Sequence, residues 1–401
     1  MPIRDRRDRV IGYQLSAFPR DVARDGGRGL ADPDEESRQT VEMVGALTRL
    51  AARSLVVPVT PALVRDGAIT RFASSDAVWL IATESLDDAL TRRAVDRLLG
   101  AGFNFALDGY PEGDPLPTTL IGSTVVLDAL RLTPEVLDTR IRALLEAGLR
   151  PLVRGVEERV TRHRVLAAGA AHFGGRLLAR GAGTPVDRTT EDSVVRALAM
   201  LAAFADGRPP DAAFDAFVRD DTHLAASLLK AMSSAALGVR GPRSVAHAMT
   251  MLGRDAIMDR LVVVTARLIG EAGHDPELAF IALRRARTME RVGGALDNAP
   301  HPRARVVAGL LSVLEFALGA PAPILADRLG LPPLLHDVLL ERQHGLGQLV
   351  DVLDAMEYGW WDDVVARSAR IGLAPAVIND AWLSAWRAAR DELGLGRMDL
   401  A

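Results

Sequence analysis

Cysteine is absent from this chain, which excludes disulfides, thiolate-bound zinc and thiol nucleophiles at the outset. Lysine is almost absent too. Lys230 stands alone among 48 basic residues, a bias we ascribe to coding-sequence composition before any recognition role. There is no surplus of positive charge: the net charge of -4 gives no general pull toward nucleic acid, whose binding rests on concentrated basic residues. No apolar run is long enough to cross a bilayer and no leader pattern is evident, so the expectation is a cytoplasmic protein without membrane contact. P-loop, glycine-rich dinucleotide and Ser-His-Asp patterns are all missing.

What remains is an ordinary globular composition, 49% hydrophobic and 25% charged, over 401 residues. That length predicts about two domains. In the first half, apolar runs at 9–18, 54–59, 77–83, 103–110, 123–130 and 150–156 read as strands, and amphipathic stretches at 87–99 and 134–147 read as helices between them. Alternation of this kind implies parallel strands with helices outside, either an open doubly wound sheet or a (β/α) barrel. Residues 181–193, GAGTPVDRTTEDS, are small and polar and read as a linker.

Beyond the linker everything reads as helix. The most informative stretch is 221–264, where three apolar stripes follow one another: Leu224, Leu228, Met232 and Ala235; Val245, Ala248, Met249 and Leu252; Ile257, Leu261, Val264 and Leu268. Gly238 to Pro242 breaks the first from the second, with Ser244 as the expected cap. Gly253 breaks the second from the third, with Asp255 as the next cap. Further helices are expected at 194–204, 211–217, 276–292, 303–318, 321–329, 333–340, 346–358, 362–371 and 375–393.

Two resemblances carry the reading further. LLKAMSSAALG followed by GPRSVAHAMTMLGRDAI resembles the HDOD domain, whose members carry LL(R/K)xxNSxxxG and then PxxSxxxAxxxLGxxxL. Leu228, Leu229, Lys230, Ser234, Gly238, Pro242, Ser244, Ala248, Leu252 and Gly253 match, whereas Ser233 stands where the family has asparagine. In the first half, VIGYQL, LIATES, FALDGY, VVLDALRL and LVRGVEE resemble, in order and spacing, the EAL domain's GYEALLR, LEITES, LALDDFG, LKIDRSF and VAEGVET. That family is a (β/α) barrel that hydrolyses cyclic di-GMP with divalent cations. The resemblance implies a degenerate EAL-like domain over 1–180 and an HDOD helical domain over 194–401, as in bacterial signal-transduction proteins. Met1-Pro2-Ile3 is similar to the end of the family's first strand, so the expectation is that this strand is truncated or the start site misplaced.

The replaced residues decide the expected chemistry. Against the family motifs, Gln14 stands for a glutamate, Phe18 for an arginine, Ile81 for a ligand glutamate, Gly109 for an aspartate, Val126 for a lysine and Arg154 for a glutamate. Only Asp108, Asp128 and Glu157 keep motif identity. A metal phosphodiesterase needs its carboxylates to hold the cation that activates water. The expectation is a pseudoenzyme with no cofactor and no bound metal, and with Asp108, Asp128, Glu157 and Arg154 as a vestigial pocket. An ion pair of Arg154 with Asp108 or Asp128 would fill it.

His274-Asp275 and His336-Asp337 are adjacent His-Asp pairs without the further spaced ligands of an HD-type metal site, and His223, His247, His301 and His344 read as caps or surface residues. Three functional classes follow. The first is a non-enzymatic signalling scaffold that binds regulatory proteins, with Arg240 and Arg243 of the GVRGPR turn as candidate contacts. The second is a receptor that holds a nucleotide in the remnant pocket without cleaving it. The third is an enzyme, either a residual phosphodiesterase or an HD-type hydrolase. Partner identity and homo-oligomer formation stay open.

Overall fold

Eight short strands pair in sequence order until the last meets the first: β1 (Pro2–Asp5), β2 (Val10–Gln14), β3 (Ser54–Pro58), β4 (Ala77–Ala82), β5 (Asn104–Asp108), β6 (Thr124–Asp128), β7 (Arg150–Arg154) and β8 (His172–Gly174). The sheet is a closed barrel, which settles the choice between barrel and open sheet. This computed structural model describes residues 2–7, 10–14, 54–73, 77–110, 122–156, 158–175, 187–206, 221–232, 244–296, 298–358 and 360–394. Two units divide the chain, one drawn mostly from Met1–Leu177 and the other mostly from Leu178–Ala355 and Asp362–Gly396.

Strands β2 to β8 run parallel, while β1 is antiparallel to both of its neighbours. Ile3 of β1 is opposite Gly12 on one side and Gly174 on the other. The four residues of β1 are enough to reach both partners. Strand β8 went unforeseen: three residues are too few to show alternation.

Side chains alternate between two layers, as strand geometry requires. Ile3, Val56, Leu80, Ala106, Val126 and Leu152 form a small core inside the barrel. Leu55, Val57, Trp79, Ile81, Phe105, Leu107, Val125, Leu127 and Val153 face outward into the layer beneath the helices. Those helices are α1 (Pro61–Arg65), α2 (Ala89–Gly100), α3 (Pro134–Glu146) and α4 (Arg159–Ala168). Helix α2 buries Ala94, Val95 and Leu98, and α3 buries Leu137, Ile141 and Leu144, each on one stripe.

Asp88 caps α2, accepting from the amides of Leu90 and Thr91, the Thr91 hydroxyl at 2.7 Å and Arg65 at 2.8 Å. The Thr91 hydroxyl, then the Leu90 amide, lower its pKa to about 2.

Twelve helices make up the second unit among the described residues: α5 (Arg188–Asp206), α6 (Thr222–Met232), α7 (Val245–Leu252), α8 (Arg254–Ala272), α9 (Pro276–Val292), α10 (Pro302–Leu311), α11 (Leu314–Leu318), α12 (Ala322–Leu329), α13 (Pro333–Leu340), α14 (Gly345–Tyr358), α15 (Trp361–Arg370) and α16 (Pro375–Leu393). Of the three central stripes, Leu224, Leu228, Met232, Val245, Ala248, Ile257, Leu261, Val264 and Leu268 are buried and Leu252 is half-buried, while Ala235 and the Met249 side chain lie outside what is described.

Three departures from the sequence reading have a local cause, and the helix expected at 211–217 lies outside the described residues. Helix α5 begins at Arg188, inside the stretch read as linker, because the Asp187 carboxylate caps it through the Thr189 amide (3.2 Å) and Thr190 hydroxyl (3.2 Å). Ser244 caps α7 through the amide of His247 at 3.1 Å, but Asp255 lies in the first turn of α8, where Gly253 is the N-cap, and pairs with Arg303 instead. The single helix expected at 303–318 breaks after Leu311, where the Ser312 hydroxyl donates to the Gly309 carbonyl and accepts from Arg285.

Candidate functional site

The C-terminal ends of parallel barrel strands carry the residues that loops cannot hold as rigidly. Here β5, β6 and β7 end on Asp108, Asp128 and Arg154. Asp128 pairs directly with Arg154, while Asp108 lies level with Val126, two residues before Asp128. They sit two residues beyond Ala106, Val126 and Leu152 of the interior core, so they share its inward face.

Arg154 bridges both carboxylates. Its Nη1 donates to Asp108 Oδ2 at 3.1 Å and its Nε to Asp128 Oδ2 at 3.0 Å. The other Asp128 oxygen, Oδ1, accepts from the Leu130 amide at 3.0 Å, which closes the turn after β6. Arg131 lies 3.7 Å from Asp128 but is 78% exposed and adds little. Burial works against the Arg154 charge, yet the fields of Asp108 and Asp128 and the hydrogen bonds to them prevail and hold its pKa above the ordinary arginine value.

Backbone geometry supports the cluster. Gly155, directly after Arg154, has φ +72°, and a Cβ there would stand 2.8 Å from Leu130 Cγ and 3.1 Å from Asp128 Oδ1. Glycine is thus required both for the left-handed turn and for the close approach. Gly109, at φ +102°, likewise suits a position where the family has aspartate, and the Thr83 hydroxyl donates to its carbonyl at 2.8 Å.

Placement of the other motif residues corrects one expectation. Ile81 is not in the pocket. It is fully buried in the outer layer, and the residue of β4 opposite Asp108 is Ala82. The strand AVWLIA is apolar throughout, so its facing could not be read from alternation, and a slip of one residue reverses it. Like isoleucine, alanine offers no ligand atom. Gln14 pairs with the inward Val56, and Val126 is part of the interior core. Glu157, Phe18, Arg240 and Arg243 lie outside the described residues.

The cation that the EAL resemblance implies does not fit the residues present. Both carboxylates are committed to one guanidinium, and no group of three His, Cys, Asp or Glu side chains among the described residues could hold a metal ion. A divalent ion about 4 Å from that guanidinium would meet a repulsion on the order of 8 kcal/mol at an effective dielectric of 20.

Several histidines and acids of the helical unit cap helices or turns. Ser193 is fully buried and donates to Asp221, while Asp221 caps α6 through the Leu224 amide at 2.8 Å; His223 Nδ1 lies 3.3 Å from the same hydroxyl. A serine whose proton points at a carboxylate and which no solvent reaches is not a nucleophile. Asp275 caps α9, His301 caps α10, and Asp337 accepts from the amides of Gln343 and His344.

No family model matches the chain, and no curated protein matches it. Solved structures do. An EAL domain protein from Listeria monocytogenes is 14% identical, over 43% of this chain and 83% of its own, with a TM-score of 0.33. The Bacillus subtilis YkuI protein, with an EAL domain and solved with cyclic di-GMP and calcium, is 10% identical over 55% of this chain and 70% of its own, at 0.36. Klebsiella pneumoniae BlrP1, solved with calcium and cyclic di-GMP, is 14% identical at 0.35, and the match spans 44% of this chain and only 52% of that one. These values are too low to carry an argument about chemistry. The barrel rests on its own strand pairing.

Proposed function

We propose that this chain is a non-catalytic signalling protein, in which a degenerate EAL-like barrel unable to hydrolyse cyclic di-GMP is joined to an HDOD-like helical unit that binds regulatory proteins. One observation carries the reading: Arg154 holds Asp108 and Asp128 together at the barrel mouth. Metal-assisted hydrolysis needs those oxygens free for a cation, and a guanidinium between them leaves nothing to activate water. Ala82, opposite Asp108, adds no carboxylate.

The test is an assay of the purified protein with cyclic di-GMP and magnesium or manganese. No turnover is expected. Metal-dependent hydrolysis that disappears in Asp108→Ala would overturn the reading.

A second reading, a nucleotide receptor, draws on Arg154 itself, since a guanidinium suits a phosphate and this one is 22% exposed. Local charge weakens it. Among the described residues Arg154 and Arg131 balance Asp108 and Asp128, which leaves no positive surplus there for an anion. Calorimetric titration with cyclic di-GMP separates the two readings, and no heat of binding is expected for the scaffold.

A further inference from the structure

Barrel closure depends on a short seam. Strand β8 meets β1 through Ile3–Gly174, Arg4–Phe173 and Asp5–His172, and side chains along such a seam alternate between the two faces. Ile3 belongs to the interior core and Phe173 to the outer layer, so Asp5 and His172 point inward with Ile3. Because Gly174 brings no side chain, Asp5–His172 is, among these described pairs, the inward one with a side chain on both strands. On its other edge His172 is level with Leu152 of the interior core, and Arg150, two residues before Leu152, faces the same way.

Among the described residues, Asp5 faces this imidazole from β1 and Arg150 from β7. Arg4 points into the outer layer with Phe173, Arg6 donates to the Leu166 carbonyl, Arg162 lies over the Phe173 ring, and His163 of α4 is exposed. His172 is half-buried. Burial disfavours its charge, Asp5 favours it and Arg150 disfavours it; burial prevails and sets the pKa below the ordinary histidine value of 6.5. With the seam open the imidazole meets water and takes a proton more readily. The closed seam is therefore favoured at neutral pH and loses ground as pH falls below about 6.5.

We propose that the β1–β8 seam is an acid-sensitive closure, in which a proton taken by His172 beside Arg150 loosens β1 from β8. A strand of three residues leaves few other pairs to hold it.

The experiment measures hydrogen exchange of the full chain at about pH 7.5 and about pH 5.5, a window above the ordinary carboxylate range, after correction for the intrinsic pH dependence of exchange. In the wild type, protection of the β1 and β8 amides should fall several-fold in acid while β5 and β6 stay unchanged. His172→Gln, which cannot take a proton, should hold the seam equally at both values. The proposal is overturned by equal protection of the wild-type seam at the two values, by an equal fall in the glutamine variant, or by a fall that β5 and β6 share. Should that variant fail to fold, the wild type decides: the loss must follow the titration of the His172 ring read by NMR, and a loss centred at another pH overturns the proposal.

Discussion

Arg285 of α9 and Asp354 of α14 form a 2.7 Å ion pair inside the helical unit, with side-chain exposures of 1% and 11%. Asp354 is shared with Arg342 at 2.8 Å, and Arg285 also donates to Ser312 at 3.2 Å. The pair therefore ties α9 to α14 and to the break between α10 and α11. Removing one partner strands a buried charge, which costs more than the pair contributes. Asp354→Ala should lower stability by about 3 kcal/mol in denaturant unfolding. Loss of no more than a surface pair would show that water reaches Arg285.

Gly155→Ala should destabilise the barrel by about 2 kcal/mol, combining a left-handed backbone with a contact on Leu130. Because the new methyl also crowds Asp128 Oδ1, the variant should loosen the Arg154 bridge. A stability equal to wild type in chemical unfolding would mean that the turn relaxes freely.

Asp88 sets a pH dependence. Its folded pKa, about 2, lies below the ordinary aspartate value of 3.8, so its contribution is complete above about pH 4 and fades as pH falls toward 2. Asp88→Asn should lose that contribution at neutral pH and show a shallower acid limb between about pH 4 and 2. Parallel acid limbs in the two proteins would remove Asp88 from the explanation.

The helical unit should fold without the barrel. Its first helix is capped by its own Asp187, and its apolar stripes are buried against one another. A fragment from Asp187 to the C-terminus should show a helical circular dichroism spectrum and cooperative melting in the presence of chelator. A disordered spectrum, or folding only with zinc, would contradict this.

Partner binding is expected at the GVRGPR turn. Arg240→Glu with Arg243→Glu should leave melting unchanged and reduce the partners recovered from a native extract. Equal recovery by a folded double variant would place the surface elsewhere.

Proline and glycine made much of this fold legible. Helices begin at Pro276, Pro333 and Pro375 as read, since proline at the first position fixes the start. Strand positions from 54 to 154 were also legible within a few residues, but strand facing was not. Trp79 to Ala82 are all apolar, and only pairing with β5 shows that Ala82, not Ile81, stands inside. The Arg154 bridge could be named from sequence only as one option, since it depends on β5, β6 and β7 lying side by side. Ser312 gave no signal of breaking a helix, because its partner, Arg285, is 27 residues away.

The antiparallel β1 also sets an order of events during synthesis. Ile3 finds Gly12 almost at once, but Gly174 leaves the ribosome only after the rest of the barrel. At roughly 5–20 residues per second that delay is on the order of ten to thirty seconds. Throughout it, one edge of β1 carries unpaired amides and carbonyls, the kind of edge that recruits a strand from another chain. The last seam to close thus joins β1 and β8, the two barrel strands farthest apart in sequence.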